Sequence, residues 1–324
     1  MTVSFETAIA QFEPELPLAV GFSGGADSTA LLVACARKWP REVVAVHVNH
    51  GLQAMASVFE QHCQLVCAEL SVELFVCKVD AKHRPGQSPE DAARRARYAA
   101  FDEVIRSGRI THSIKSIALA QHADDQIETI LLALSRGSGV AGVSGMPAKW
   151  TRNGHVFFRP LLQVSSIDVR AWLRSCGVEH IEDPSNADVR FTRNYIRGTL
   201  TPVLETVFPQ FRDTFARSAM HAAQANDLLD ELAEIDAQTV CGGAFQDPAI
   251  RLIQQLSPAR QSNFLRHWLK RRYGVVPTTA QLNELRRLVQ ACTTRGHNIH
   301  LKVGHGHVMR NGMVLAWHHP NDLC

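Results

Sequence analysis

PLAVGFSGGADSTALLVACARKW, residues 17–39, runs from a short apolar segment through a glycine-rich turn into a stretch whose apolar residues recur every three or four positions. It reads as a buried strand (17–22), the turn Ser23-Gly24-Gly25-Ala26-Asp27-Ser28, and a helix (27–39). The same alternation continues outward. VVAVHV (43–48) reads as a strand, 57–70 as a helix, ELFVCKV (73–79) as a strand, 89–107 as a helix opening at Pro89, SIALA (116–120) as a strand, and Asp124 to Leu134 as a helix. This order predicts an α/β fold, an open parallel sheet with helices on both faces. The pattern is weaker through HVFFRPLL (155–162) and a helix at 166–176. From Phe211 to Gln238 a helical pattern without glycine or proline reads as a connector to a smaller, mainly helical domain, closed by a β-hairpin around Asn311-Gly312. The expected domains are 1–210 and 211–324.

Composition agrees with two domains: 324 residues, 45% hydrophobic and 20% charged, exclude disorder as the main state. No run approaches the roughly 18 apolar residues of a membrane span. The opening MTVSFETAIAQFEPE carries acids where a signal peptide would be basic, so a soluble, cytoplasmic protein without a membrane partner is expected. Eight scattered cysteines form no C-x-x-C pair and no zinc-ligand grouping, which suits a reducing compartment. Cys63 and Cys67 share a helix face and read as small buried apolar residues rather than a redox or metal pair. Charge is unevenly spread. Residues 1–210 carry 21 Lys/Arg against 22 Asp/Glu, whereas 251–310 carry 11 against a single acid, Glu284. Arg266, Lys270, Arg271, Arg272, Arg286 and Arg287 in that block read as a phosphate-backbone footprint or as a solvated basic surface.

The turn at 23–28 is where chemistry is expected. Two adjacent glycines let backbone N–H groups approach a phosphate, and the following helix N-terminus adds donors and positive partial charge. Neither G-x-x-x-x-G-K-[ST] nor G-x-G-x-x-G occurs in the chain. Strand, S-G-G-x-D-S and helix in this order resemble the PP-loop ATP pyrophosphatases. That resemblance implies ATP held by Ser23, Gly24, Gly25, Ala26, Asp27 and Ser28, attack on the α-phosphate, and loss of pyrophosphate. Mg²⁺ would offset the repulsion between Asp27 and the phosphates.

Further blocks are His47-Val48-Asn49-His50-Gly51-Leu52-Gln53, Glu90 to Tyr98, Gln121-His122-Ala123-Asp124-Asp125-Gln126-Ile127-Glu128-Thr129, Arg136-Gly137-Ser138-Gly139, Arg159-Pro160-Leu161-Leu162, Glu182-Asp183-Pro184-Ser185-Asn186 and Arg193-Asn194-Tyr195-Ile196-Arg197. Together they resemble the tRNA(Ile)-lysidine synthases, densely over 17–210 and only in layout beyond. The resemblance implies adenylation of the wobble cytidine of tRNA(Ile) with a CAU anticodon, displacement of AMP by the ε-amine of L-lysine, and a homodimer among the assemblies allowed. Some members carry a further C-terminal domain, which this chain is expected to lack.

Asp27, Asp124 and Asp125 are the expected catalytic acids, with Asp27 and Asp124 as metal ligands. One of the adjacent pair could instead only cap its helix. Either Asp124 or Asp125 could take the lysine ammonium proton. Arg94, Arg97, Arg193 and Arg197 are expected to bind the lysine carboxylate or tRNA phosphates, with Arg94 facing the reaction centre and surface salt bridges as the plain alternative. His50 and His122 read equally as base-positioning or structural residues. Gln121 stands where family members often have histidine. The alternative enzyme is another PP-loop tRNA-modifying enzyme such as a 2-thiocytidine synthetase-like thiolase, expected to carry the C-x-x-C cysteines that this chain lacks.

Overall fold

The computed structural model describes residues 2–49, 56–79, 89–106, 114–242, 246–294 and 296–319. His50 to Gln53 therefore lie outside the described residues, as do the side chains of Glu90 and Asp91. Two compact units divide at 222/223, twelve residues beyond the boundary expected from sequence.

In the first unit, helix α1 (Phe5–Gln11) leads into β1 (Leu18–Gly21), α2 (Ala26–Lys38), β2 (Val43–Asn49), α3 (Ala56–Glu69), β3 (Glu73–Lys78), α4 (Pro89–Arg106), β4 (Ser116–Ala118), α5 (Ala123–Ser135) and the short α6 (Val140–Val143). Strands β5 (Lys149–Arg152) and β6 (His155–Phe158) follow, then α7 (Ser166–Ser175), α8 (Thr192–Tyr195), a π-helical turn over Ile196–Leu200 and α9 (Thr201–Val207). The sheet order is β3-β2-β1-β4-β6-β5. All neighbours are parallel except β5, which pairs antiparallel with β6. Alternation along β1 splits the core in two. Leu18 and Val20 pack with Leu31, Leu32 and Val169 on one face, and Ala19 packs with Tyr98, Phe101 and Phe157 on the other. Helices thus cover both faces, as the alternation predicts.

Strand β5 is absent from the sequence expectation. It joins β6 through Asn153-Gly154, both at positive φ (48° and 81°), the backbone that a tight hairpin turn requires.

Helix α10 (Phe211–Val240) runs across the division. The second unit adds α11 (Ile250–Gln255), α12 (Pro258–Tyr273), α13 (Thr279–Ala291) and an antiparallel sheet β7 (His300–Val303), β8 (Gly306–Asn311), β9 (Val314–His318). The expected hairpin at Asn311-Gly312 is the β8–β9 turn. This unit has its own core around Phe264, Trp268, Leu285 and Val308. Among the described residues no helix is long and apolar enough to cross a membrane.

Candidate active site

A cleft of about 1040 Å³ opens beyond the carboxyl ends of β1, β2 and β4. Strand order reverses between β1 and β4, the position where open α/β sheets bind ligands. The loop after β1 forms its floor and is braced from within. Ser23 N–H donates to Ser28 Oγ (3.1 Å), the two hydroxyls meet at 3.0 Å, and Ser28 Oγ donates to the Gly25 carbonyl (3.0 Å). Thr29 Oγ1 donates to the same carbonyl at 2.9 Å. Gly24 sits at φ +87°, where a Cβ would come 3.2 Å from Cys63 Sγ. Gly25 is the N-cap of α2 without a side-chain bond, and Gly25, Ala26, Asp27 and Ser28 line the cleft, so among the described residues the first-turn N–H groups have no side-chain cap there, the arrangement that accepts an anion.

Asp27 projects from this first turn. Its Oδ2 lies 3.5 Å from His122 Nε2, while its Oδ1 is buried without a hydrogen-bond partner among the described residues. Burial works to raise this carboxyl, but His122, with Arg170 and Arg197 beyond it, holds it below its ordinary value. His122, not an aspartate, is the N-cap of α5: its side chain accepts from Asp125 N–H, and Asp125 Oδ2 accepts from His122 N–H. Burial pushes the imidazole down, yet Asp125, Asp27 and Asp124 outweigh it and lift it to about 9; the acceptance from Asp125 N–H belongs to the neutral ring, and in the charged ring Nδ1 faces Asp124 Oδ2 at 3.8 Å.

The structure separates the two adjacent aspartates. Asp125 lines the cleft and also accepts from Arg197 Nη2 at 3.2 Å. Asp124 does not line it. Its Oδ1 takes Arg212 of α10 (Nε 2.7 Å, Nη2 2.6 Å), and its Oδ2 takes Ser166 N–H of α7 (2.8 Å). The structure therefore does not bring Asp124 to the cleft wall beside Asp27 and Asp125, where a metal ligand and catalytic acid was expected; its carboxylate joins α5 to α7 and α10. Glu128, one turn on, is 1% exposed and gathers Arg193 (3.3 Å) and Arg197 (2.8 Å). Burial raises its pKa even against these two guanidiniums.

Arg94 also departs from expectation. Its side chain is exposed, 5.9 Å from the Tyr98 ring, and Arg97, one turn further along α4, lines the cleft instead. Arg193 is tied to Glu128 and Thr129, whereas Arg197 both pairs and lines the cleft. Arg170 of α7 also lines it, 3.5 Å from Glu182, and nothing in the sequence pattern marked that residue. Gln121 lines the cleft with its amide oxygen held by Arg159 Nε at 3.0 Å. Arg159 is itself buried, bonded to Pro147 O and stacked 3.9 Å over Trp150. Cys63 and Cys67 are buried in α3, their thiols pushed up to about 12 by burial, in line with the plain reading.

Among the described residues no cluster of three or more His, Cys, Asp or Glu side chains could hold a metal unaided. The donor set fits Mg²⁺ only in the manner usual for that ion, one or two carboxylates plus substrate phosphates, and the unpartnered Asp27 Oδ1 is the available ligand.

In the second unit, Arg266, Lys270 and Arg271 are exposed on α12. Arg272 pairs with Asp247 at 3.2 Å, Arg287 is exposed but clasps Glu284 (2.6 Å), and Arg286 is half-buried. The basic block is therefore partly internal scaffolding.

A PP-loop domain model matches residues 1–204, and a TilS substrate binding domain model matches 249–313. The chain is 53% identical over 302 residues to a tRNA(Ile)-lysidine synthase of Polaromonas naphthalenivorans (strain CJ2), covering 93% of this chain and 89% of that one. It is 44% identical to the tRNA(Ile)-lysidine synthase of Pseudomonas fluorescens (strain Pf0-1), covering 78% of this chain but only 57% of that longer relative. A U34-tRNA thiolase from Methanococcus maripaludis shares the fold, with a TM-score of 0.55 at 14% identity over 67% of this chain and 76% of the other.

Proposed function

The chain belongs to the tRNA(Ile)-lysidine synthase family, and on that premise we propose how its cleft works. It joins L-lysine to the wobble cytidine of tRNA(Ile) with a CAU anticodon, driven by ATP, in the cytoplasm. The cytidine ring-carbonyl oxygen attacks the α-phosphate and pyrophosphate leaves. The lysine ε-amine then attacks the ring carbon and AMP leaves.

The observation that carries this reading is the braced loop at 23–28, with open N–H groups and an unpartnered Asp27 oxygen at the sheet's switch point. The loop holds the polyphosphate. When bound, Mg²⁺ supplies the positive charge that reconciles Asp27 with the phosphates, held by Asp27 Oδ1 and not by Asp124. His122 keeps a proton between Asp27 and Asp125 and fixes both carboxylates. Lysine must lose a proton before its amine can attack, because its ordinary pKa is about 10.4. Asp125, at the cleft wall, is the acceptor. Arg97 and Arg197 face the same space and serve the lysine carboxylate or RNA phosphates, while Arg193 holds Glu128. The exposed Arg266, Lys270 and Arg271 contact the tRNA backbone.

The test mixes purified protein, ATP, Mg²⁺, labelled lysine and a tRNA(Ile) CAU transcript beside an initiator-methionine tRNA. Label in the isoleucine tRNA alone, with AMP and pyrophosphate released, is expected. Label in neither RNA overturns the substrate, label in both overturns the selectivity, and release of ADP and orthophosphate overturns the chemistry.

A further inference from the structure

Among the described residues three aromatic side chains are exposed: Phe191 (52%), Tyr195 (54%) and Phe208 (57%). All three lie within residues 191–208, and the other described Phe, Tyr and Trp rings are buried or half-buried. Residues 188–200, DVRFTRNYIRGTL, interleave the first two rings with Arg190, Arg193 and Arg197 and carry one acid, Asp188, which holds Arg190 at 2.7 Å. The inner face of this segment is fixed in place. Ile196 is buried, and Arg193 and Arg197 reach back to Glu128, the latter also lining the cleft. Phe191 and Tyr195 are four residues apart, bridged by Tyr195 N–H donating to the Phe191 carbonyl, and both face outward.

An outward aromatic pair on a segment with three arginines and one acid, continuous with a cleft wall, suits unpaired nucleic-acid bases. Aromatic faces stack any base, and guanidiniums beside them offset phosphate charge. A second copy of the same segment would instead meet it with like charge. Placing a base in a cleft also takes it out of its stack, which leaves neighbouring bases without a facing surface. The inward arginines and outward rings are separated by about one helix diameter, ~10 Å, the span of two or three nucleotides at roughly 3.4 Å each.

We propose that Phe191 and Tyr195 form a stacking platform for unpaired bases of the anticodon loop whose cytidine enters the cleft; this rests on the function proposed above. The full-length protein is titrated with tRNA(Ile) CAU transcripts, intact or with one abasic site at each anticodon-loop position other than the wobble. Phe191→Ala and Tyr195→Ala each weaken binding of the intact transcript roughly 5- to 100-fold, while Phe191→Trp and Tyr195→Phe retain it. At least one abasic transcript loses a similar factor with the unsubstituted protein and loses nothing further with an alanine variant. Unchanged ATP affinity and circular dichroism verify folding. Should the alanine variants not fold, the abasic series on the unsubstituted protein decides: equal affinity for every transcript overturns the proposal. So does unaltered binding by folded alanine variants, or a change of oligomeric state on substitution, which would assign the rings to a second copy. Failure of the underlying functional reading shows separately, as no lysine incorporation by the unsubstituted protein.

Discussion

Asp124 and Asp125 look interchangeable in sequence and part company in the fold, because successive residues at a helix start point about 100° apart. One reaches Arg212 and Ser166, the other the cleft. Removing one partner of a buried pair typically costs about 3–5 kcal/mol. Asp124→Asn is accordingly expected to lose about 3 kcal/mol in denaturant unfolding, whereas Asp125→Asn loses less stability and more lysine transfer. Comparable transfer rates in the two variants would contradict this division. His122 offers a second check. Its folded pKa of about 9 stands above the ordinary 6.5, so the stability it contributes is complete below pH 6.5 and is lost as pH rises through 9. Unfolding measured from pH 6 to 10 should show that decline, and His122→Gln should flatten it. The cradle and the aspartate pair were legible in sequence because spacing encodes them, but not which of the two aspartates faces the cleft. Arg97 over Arg94, and the presence of Arg170, were not, since the helix rotation that selects them is set by tertiary packing.

At the scale of elements, the glycine-rich turn was legible because only a few residue types tolerate its backbone. Gly24→Ala tests that reading. Its positive φ alone costs roughly 1–2 kcal/mol, and the added methyl meets Cys63 Sγ at 3.2 Å. The variant should melt earlier and bind ATP more weakly, and adding Cys63→Ala should recover only part of the loss, the steric share. The antiparallel β5 went unread although Asn153-Gly154 marks a hairpin, because its four residues, Lys149–Arg152, lack an alternating apolar pattern. Between elements, Glu128 ties α5 to the α8 region through two arginines. Glu128→Gln removes their shared carboxylate, while Arg197 keeps Asp125 at 3.2 Å. Because burial already outweighs both guanidiniums in setting the Glu128 pKa, denaturant unfolding of Glu128→Gln is expected to show a stability change of under about 1 kcal/mol, with lysine transfer falling further as Arg193 and Arg197 lose their anchor.

For the whole molecule, charge distribution was legible as a total and not as a surface. Six cations in the basic block looked equivalent, yet Arg272 and Arg287 answer to acids of their own unit. Replacing Arg266, Lys270 and Arg271 together by alanine should weaken tRNA binding and reduce the slope of log affinity against log salt by roughly 3, about one per phosphate contact. An unchanged slope would remove α12 from the RNA interface. The catalytic unit's sheet ends on one side at Lys149-Trp150-Thr151-Arg152, whose two cations flank a single partly covered indole. A row of unpaired backbone donors and acceptors there would invite another chain to anneal, and lysine is a common deterrent on such margins. The antiparallel ribbon that sequence did not reveal thus hems this margin with a short hairpin strand, Lys149 at one end and Arg152 drawn back to Asp102 at the other.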